Sequence, residues 1–503
     1  MSKTQRIILY ISVFITGAAV LVIEILGTRV LAPFYGSTIF VWSSLITLTL
    51  GALALGYFVG GRLIDRYPYP LTLFVIVGIA AFFVFLPMRI DQWVLPLTDG
   101  LGIQWGPLAA TLLLFAAPLF LLGMAGPMVI RLTSKDVKHS GSTAGMVFAI
   151  ATVGSIVGAL LAGFFLLPHF SVTILFNSTA AVLMLAAFIG AVLESRDKKK
   201  GSATFAAIMI FLAVAGFSLP KYYYEDSRGF QILHHEQSRY ADLKVMDMGG
   251  VFEARCMFMD GMAQTCVSEG GTGASLDRYV LEIKNLSKTW PADTKILLLG
   301  LGGGAIVKEL APDFSLDAVE LDPKIAELAF EYFDLRFDKD DSLIIADARN
   351  FLRQKGDNYD IIISDLYIGG TIPAHLYTKE MMELIKNRLS EKGVAVVNIA
   401  GTLQSDLVVS LVYTQNSVFS NVVVTADSAD SAGSFTNILV HLSRSSDYEP
   451  ENSRYYAKQA LDLVGAKLVT DSQNPLDIMT ITSVEHFFKN SKKNFGFAAM
   501  FSL

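Results

Sequence analysis

Three carboxylates each close a short apolar run in the second half of this chain: Glu320 in VELD, Asp347 in ADAR and Asp365 in IIISDL. Ahead of them lies ILLLGLGGGAIVKEL, residues 296–310, where Gly300, Gly302, Gly303 and Gly304 separate an apolar run from a helical one. Glycine lets a backbone turn tightly and approach a ligand where a side chain would collide. The glycine spacing alone fits a dinucleotide fold as well. A carboxylate at Glu320 can accept both hydroxyls of a ribose, a role common to nicotinamide and sulfonium nucleosides. The further acids at Asp347 and Asp365 favour an adenosine lying along a sheet edge, with the last carboxylate facing the reacting atoms. Such a carboxylate can take a proton from an attacking nucleophile.

Strand ends must hold these groups. After Trp290 the runs KILLLGL, LDAVELD, SLIIAD, YDIIISDL and GVAVVNIA alternate with helical stretches around 304–311, 323–334, 348–355 and 377–390. That order predicts an α/β domain with a parallel sheet and ligands at its carboxyl edge. Before it, from about Gln231, YADLKVMDMG and EARCMFMDGMAQTCV alternate as β-hairpins, with Asp260-Gly261 as turn residues. The expected division is 1–220 transmembrane, 221–288 a small β subdomain, and 289–503 the Rossmann-like domain.

Cys256 and Cys266 are the two cysteines, too few for a disulfide scaffold or a four-cysteine metal site; no metal is expected. They lie symmetrically about Gly261. A three-residue loop centred there puts them opposite one another, near enough for a disulfide in the closer kind of cross-strand pair. A two-residue loop shifts the register by one and puts the sulfurs on opposite faces. Reduced strand residues, or a disulfide of an oxidising compartment, both remain open.

Overall 52% of residues are hydrophobic and 17% charged, against about 25% charged in an average soluble domain. The apolar excess lies before Lys221. Seven apolar segments, at roughly 7–31, 38–60, 70–88, 107–130, 142–167, 171–193 and 202–219, each have about the 17–25 residues that a helix needs to cross a bilayer. Of the loop cations, eleven fall on one side: Lys3, Arg6, Arg62, Arg66, Arg131, Lys135, Lys138, Arg196, Lys198, Lys199 and Lys200. Two, Arg29 and Arg89, fall on the other. This bias puts the amino terminus in the cytoplasm. Seven spans then put the soluble half on the far side of a cell inner membrane, and a re-entrant segment would return it. The start MSKTQR leads into an apolar run too long for a cleavable signal. Glu24 and Arg29, charged residues of the first segment, mark either a function or a structural, snorkelling pair. Gly154, Gly158 and Ala162 form a small-residue ladder suited to close helix packing. A net charge of −6 without a basic stripe argues against nucleic acid as a partner.

Residues 231–445 resemble the spermidine synthase (polyamine aminopropyltransferase) family, a branch of the methyltransferase-like fold. EQSRYADLKV, MFMDGMAQT, LLLGLGGGA, VELD, ADA, YDIIISD, LYTKEMM and SVFSNVVV occur in the family's order. The whole chain resembles the membrane-fused members, which carry a multi-pass helical domain ahead of the synthase domain. The resemblance implies decarboxylated S-adenosylmethionine, or a related adenosine sulfonium or its methylthioadenosine product, as the bound nucleoside. An amine such as putrescine would be the acceptor. By it, Glu320 holds the ribose, Asp347 with Ala348 the adenine, and Gly300 and Gly302 to Gly304 with Gln264 the rest of the donor. Asp365 is the base, and Tyr240, Asp260 and Tyr367 lie on the acceptor side. The chain departs from the family at Ala241, Val280, Leu281, Ala305 and Ile368, positions of amine-binding residues. Non-catalytic nucleoside or amine binding, and methyl transfer from S-adenosylmethionine itself, are the alternatives. Expected partners are a small-molecule amine and the lipid bilayer, with homo-oligomerisation open.

Overall fold

A computed structural model describes residues 3–134, 139–167, 169–194, 230–249, 253–337, 341–427, 435–451, 456–459, 461–495 and 500. The chain divides into two compact units near Tyr224–Glu225.

In the first unit, Lys3–Tyr35, Ile39–Arg66, Gly102–Thr133, Ser140–Leu166 and Val172–Glu194 are long and apolar enough to cross a membrane. Pro70–Phe85 and Pro87–Asp99 make a sixth span if counted together, bent by 56°. Pro87 has no N–H with which to continue the preceding helix, which is what bends the pair. The described residues therefore give five or six candidate spans where the sequence suggests about seven. The seventh segment, 202–219, and Lys135, Lys138, Arg196, Lys198, Lys199 and Lys200 lie outside the described residues.

The small-residue ladder is a contact between two of these helices. A Cβ on Gly154 would stand 2.2 Å from the Phe14 carbonyl oxygen, and one on Gly158 would stand 2.6 Å from that of Ala18. Ser155 Oγ donates to the Gly17 carbonyl at 2.9 Å. Backbones this close exclude any larger residue. Glu24 and Arg29 are both half-buried on Lys3–Tyr35. Five helical residues turn through about 140° beyond one revolution, so the spacing does not stack them on one face as an i,i+4 pair.

The second unit holds two sheets. Strands β1 (Gln231–Gln237), β2 (Asp242–Met248), β3 (Ala254–Met259) and β4 (Met262–Val267) form an antiparallel meander. The larger sheet contains β5 (Lys295–Leu299), β6 (Ser315–Glu320), β7 (Ser342–Ile345), β8 (Tyr359–Ser364), β9 (Leu389–Gly401), β10 (Asn421–Asp427), β11 (Thr436–Ser443) and β12 (Tyr456–Gln459). Its order is β12-β10-β11-β9-β8-β5-β6-β7. From β9 to β7 it is parallel, and β10 to β12 add an antiparallel edge. Leu297, Leu298, Leu299, Ile362, Ile363 and Val397 are fully buried, as expected of strands covered on both faces.

The hairpin between β3 and β4 has the two-residue loop considered above, with a bulge added to it. Asp260 (φ 47°) and Gly261 (φ 73°) make a two-residue turn with Met259 paired to Met262, the double left-handed geometry that suits a tight hairpin. By itself this would separate the cysteines. Phe258, however, pairs with Ala263 and Met257 with Thr265, so Gln264 is an unpaired extra residue. This β-bulge shifts the register back by one. Cys256 then pairs with Cys266, and the two are joined by a disulfide.

Candidate active site

The chain builds β5, β6 and β7 outward in one direction, then returns to place β8 on the other flank of β5. Loops leaving β5 and β8 therefore diverge and open a crevice at the carboxyl edge, the usual ligand position in such sheets. Gly300 follows β5 and Asp365 follows β8. A Cβ on Gly300 (φ 94°) would lie 2.1 Å from the Asp365 carbonyl oxygen, so only glycine lets the two strand ends meet. A cavity of about 220 Å³ occupies this crevice.

At one end, Glu320 is 7% exposed. Its Oε2 accepts from the Leu301 N–H at 3.0 Å and its Oε1 from the Asp322 N–H at 2.8 Å. These bonds fix the carboxylate and leave each oxygen a further lone pair for a diol. Burial nevertheless pushes its carboxyl above the usual range. Asp347 caps the helix Ala348–Arg353, its Oδ1 accepting from the Asn350 N–H at 2.8 Å. His375 Nε2 lies 3.7 Å from its other oxygen. Ala348 also lines this end.

At the other end, Asp365 Oδ2 accepts from the Tyr279 hydroxyl at 2.7 Å, and Oδ1 from the Asn398 Nδ2 at 2.9 Å. Burial raises the Asp365 carboxyl, although both hydrogen bonds oppose the rise. Asp277 faces the same space, its Oδ2 accepting from the Cys266 N–H at 3.3 Å. Burial, reinforced by the charge of Asp365, lifts the Asp277 carboxyl to about 7. Tyr279 is held well above its ordinary range by burial and then by the charge of Asp365, and so remains a hydroxyl donor. Two carboxylates in one dry space make it favourable for a cation and for holding a proton.

Of the residues singled out in the sequence, Gly300, Gly302, Glu320, Asp347, Ala348, Asp365, Gln264, Tyr240 and Tyr367 line the cavity together. Gly303, Gly304 and Asp260 stand behind its wall. The Gly303 N–H is used by Thr265 Oγ1 at 2.9 Å. Gly304 (φ 80°) turns the chain into the helix Ala305–Leu310, where a Cβ would meet Leu335 at 2.7 Å. Asp260 Oδ1 accepts the Asp242 N–H at 3.0 Å, bracing the hairpin turn. Sequence reasoning missed Asp277, Asn398 and Phe487. Asn398 had a signal, being the one polar side chain in GVAVVNIA.

Residues 281–426 match the spermine/spermidine synthase domain family. The polyamine aminopropyltransferase of Vibrio vulnificus is 30% identical over 182 residues, covering 34% of this chain and 60% of that protein. Polyamine aminopropyltransferase 1 of Streptomyces coelicolor is 24% identical over 438 residues, covering 79% of this chain and 76% of that protein. A match to 79% of the chain exceeds the whole soluble unit and so runs into the helical one. The crystal structure of spermidine synthase from Thermotoga maritima aligns with 52% of this chain and 88% of its own at 17% identity, with a TM-score of 0.35.

Proposed function

With a spermidine synthase-like domain as the premise, we propose that this chain is a membrane-integrated transferase that moves an aminopropyl group from decarboxylated S-adenosylmethionine to an amine. The observation that carries the proposal is Asp365, buried at the switch point and held by Tyr279 and Asn398, with the strand-end acids Glu320 and Asp347 beyond it. The residues present fit an adenosine sulfonium. Glu320 offers two pre-oriented oxygens to a ribose, and Gly300 and Gly302 bring side-chain-free backbone to the cavity wall.

When bound, that donor supplies a carbon joined to positive sulfur, and the amine lone pair forms the new N–C bond as the C–S pair leaves on sulfur. The protein's part is alignment and proton removal. Asp365 orients the amine through oxygens already fixed by Tyr279 and Asn398, which saves ordering entropy at the moment of attack. Its raised carboxyl is a better proton acceptor than an ordinary aspartate. Glu320 and Asp347 hold the nucleoside so that the carbon faces that amine.

A second activity, methyl transfer from S-adenosylmethionine, is favoured by Ala305, which puts a methyl group where the family has an ammonium-binding acid. Incubation of the full chain with each donor and a panel of amines distinguishes them. Methylthioadenosine release with an aminopropylated amine supports the first, and S-adenosylhomocysteine supports the second. Neither product, with methylthioadenosine still bound, leaves a binding protein.

For topology, the basic bias supports a cytoplasmic amino terminus and a soluble unit on the non-cytoplasmic side if the spans are odd in number. Since Cys256 and Cys266 are bonded to each other, a cysteine introduced on the soluble surface would be the sole free thiol. Labelling by an impermeant reagent in intact cells is the expected result. Protection until lysis would place the unit in the cytoplasm.

A further inference from the structure

The cavity contains five carboxylates, and their distribution is uneven. Glu320, Asp322 and Asp347 follow β6 and β7 at the nucleoside end. Asp277 and Asp365 face each other's charge at the acceptor end. Among the described lining residues there is no further acid.

Asn398 supplies an independent observation. It is 2% exposed and its Nδ2 donates to Asp365. That bond fixes the amide, because the reverse orientation would set oxygen against a carboxylate. Its Oδ1 is buried and, among the described residues, meets no donor, and Asn398 itself lines the cavity. A buried acceptor without a partner costs stability unless a ligand fills it. The group that it lacks is a donor beside two carboxylates.

We propose that Asp277, Asp365 and Asn398 together seat one primary ammonium through its three N–H bonds, and that the acceptor is a monoamine with an apolar body rather than a diamine. The assignment rests on the nucleoside donor occupying the Glu320–Asp347 end. Beyond this seat the wall is Met259, Ile368 and Phe487 with the rings of Tyr240 and Tyr367. Phe487 comes from the helix Ile481–Phe495 and packs edge-on against Tyr367, centroids 6.3 Å apart. Asn437 and Gln264 are neutral amides of the same lining. An amide cannot repay the desolvation of a second ammonium, whereas an alkyl or aromatic body gains by covering this wall. Asp277 is on this account a specificity-determining residue that replaces the amine-binding acids the chain lacks at Leu281 and Ile368.

The test is calorimetric titration of 1-aminopentane and of 1,4-diaminobutane into the full-length protein saturated with methylthioadenosine. The monoamine is expected to bind at least about tenfold more tightly. Asp277→Asn should weaken it by about tenfold or more while methylthioadenosine affinity stays within about threefold. Ile368→Asp, a gain that misfolding cannot imitate, should raise diaminobutane affinity about tenfold. Equal or tighter diamine binding to the native protein, no amine binding, or indifference to both substitutions would overturn the assignment. Monoamine preference supports it whether or not turnover follows, since failed turnover counts only against aminopropyl transfer.

Discussion

Tyr279, just ahead of the family-matched residues 281–426, and Asp365, well inside them, meet through a 2.7 Å hydrogen bond in which the phenol donates to the carboxylate. Asn398 donates to the other oxygen, so the carboxylate is held in one orientation. Asp365→Asn keeps the shape and removes the proton acceptor. Group transfer should fall by about 10²–10⁴-fold, the contribution of a positioned general base. Methylthioadenosine affinity, read by titration, should remain within a few-fold; turnover near the native rate would sink the role of Asp365.

Glu320 is fixed by two main-chain N–H groups before any ligand arrives. Glu320→Gln turns one fixed acceptor into a donor facing the ribose and a backbone N–H. Nucleoside binding should weaken by about 1–3 kcal/mol, the scale of an unsatisfied buried polar group. Unchanged affinity in the same titration would mean that the ribose is held elsewhere.

The strand-end acids were legible in the sequence because Glu320, Asp347 and Asp365 each break an apolar run at its carboxyl end. Asp277 was not, since an acid before a helix such as Arg278–Ser287 is ordinary capping chemistry and nothing local connects it to Asp365. Phe487 was further out of reach, being brought to the cavity by a terminal helix with no motif in common with the strands. The segment at 70–88 was legible from hydropathy, but the helix Pro87–Asp99 bent off its end was not, since its composition is less apolar. The Asp260-Gly261 turn was evident from its residues, but the Gln264 bulge was not, because a bulge has no composition of its own.

Asp277 predicts a pH dependence with a definite sign. Its carboxyl titrates at about 7 in the fold and at about 3.9 in the unfolded chain, so the native state binds the extra proton. The stability it contributes is fully present below about pH 4 and is lost as pH rises toward about 7. Thermal unfolding of native protein and of Asp277→Asn at several pH values should give a difference in Tm that moves against the native protein across that window. A constant difference would refute the raised carboxyl.

Thiol titration of unreduced protein should find no free cysteine, and two after reduction in denaturant. Replacing both Cys256 and Cys266 by alanine should cost about 2–3 kcal/mol of stability, the scale for a short cross-linked loop, measured by denaturant unfolding. Two titratable thiols in protein from intact cells would instead favour a reducing, cytoplasmic setting for the soluble unit.

Gln264 gives the hairpin an odd residue, and parity has consequences at both ends of that strand. Its backbone restores the alignment that joins the sulfurs, while its side-chain Nε2 donates to the Gly369 carbonyl at 3.1 Å, four residues beyond Asp365. From Cys266 the main chain reaches Asp277 through one further N–H. A one-residue deletion would thus act as a frameshift in space, unmaking the covalent link, untying the loop after β8 and releasing the second acid at once. The disulfide and the two cavity acids are geared together by a single inserted residue.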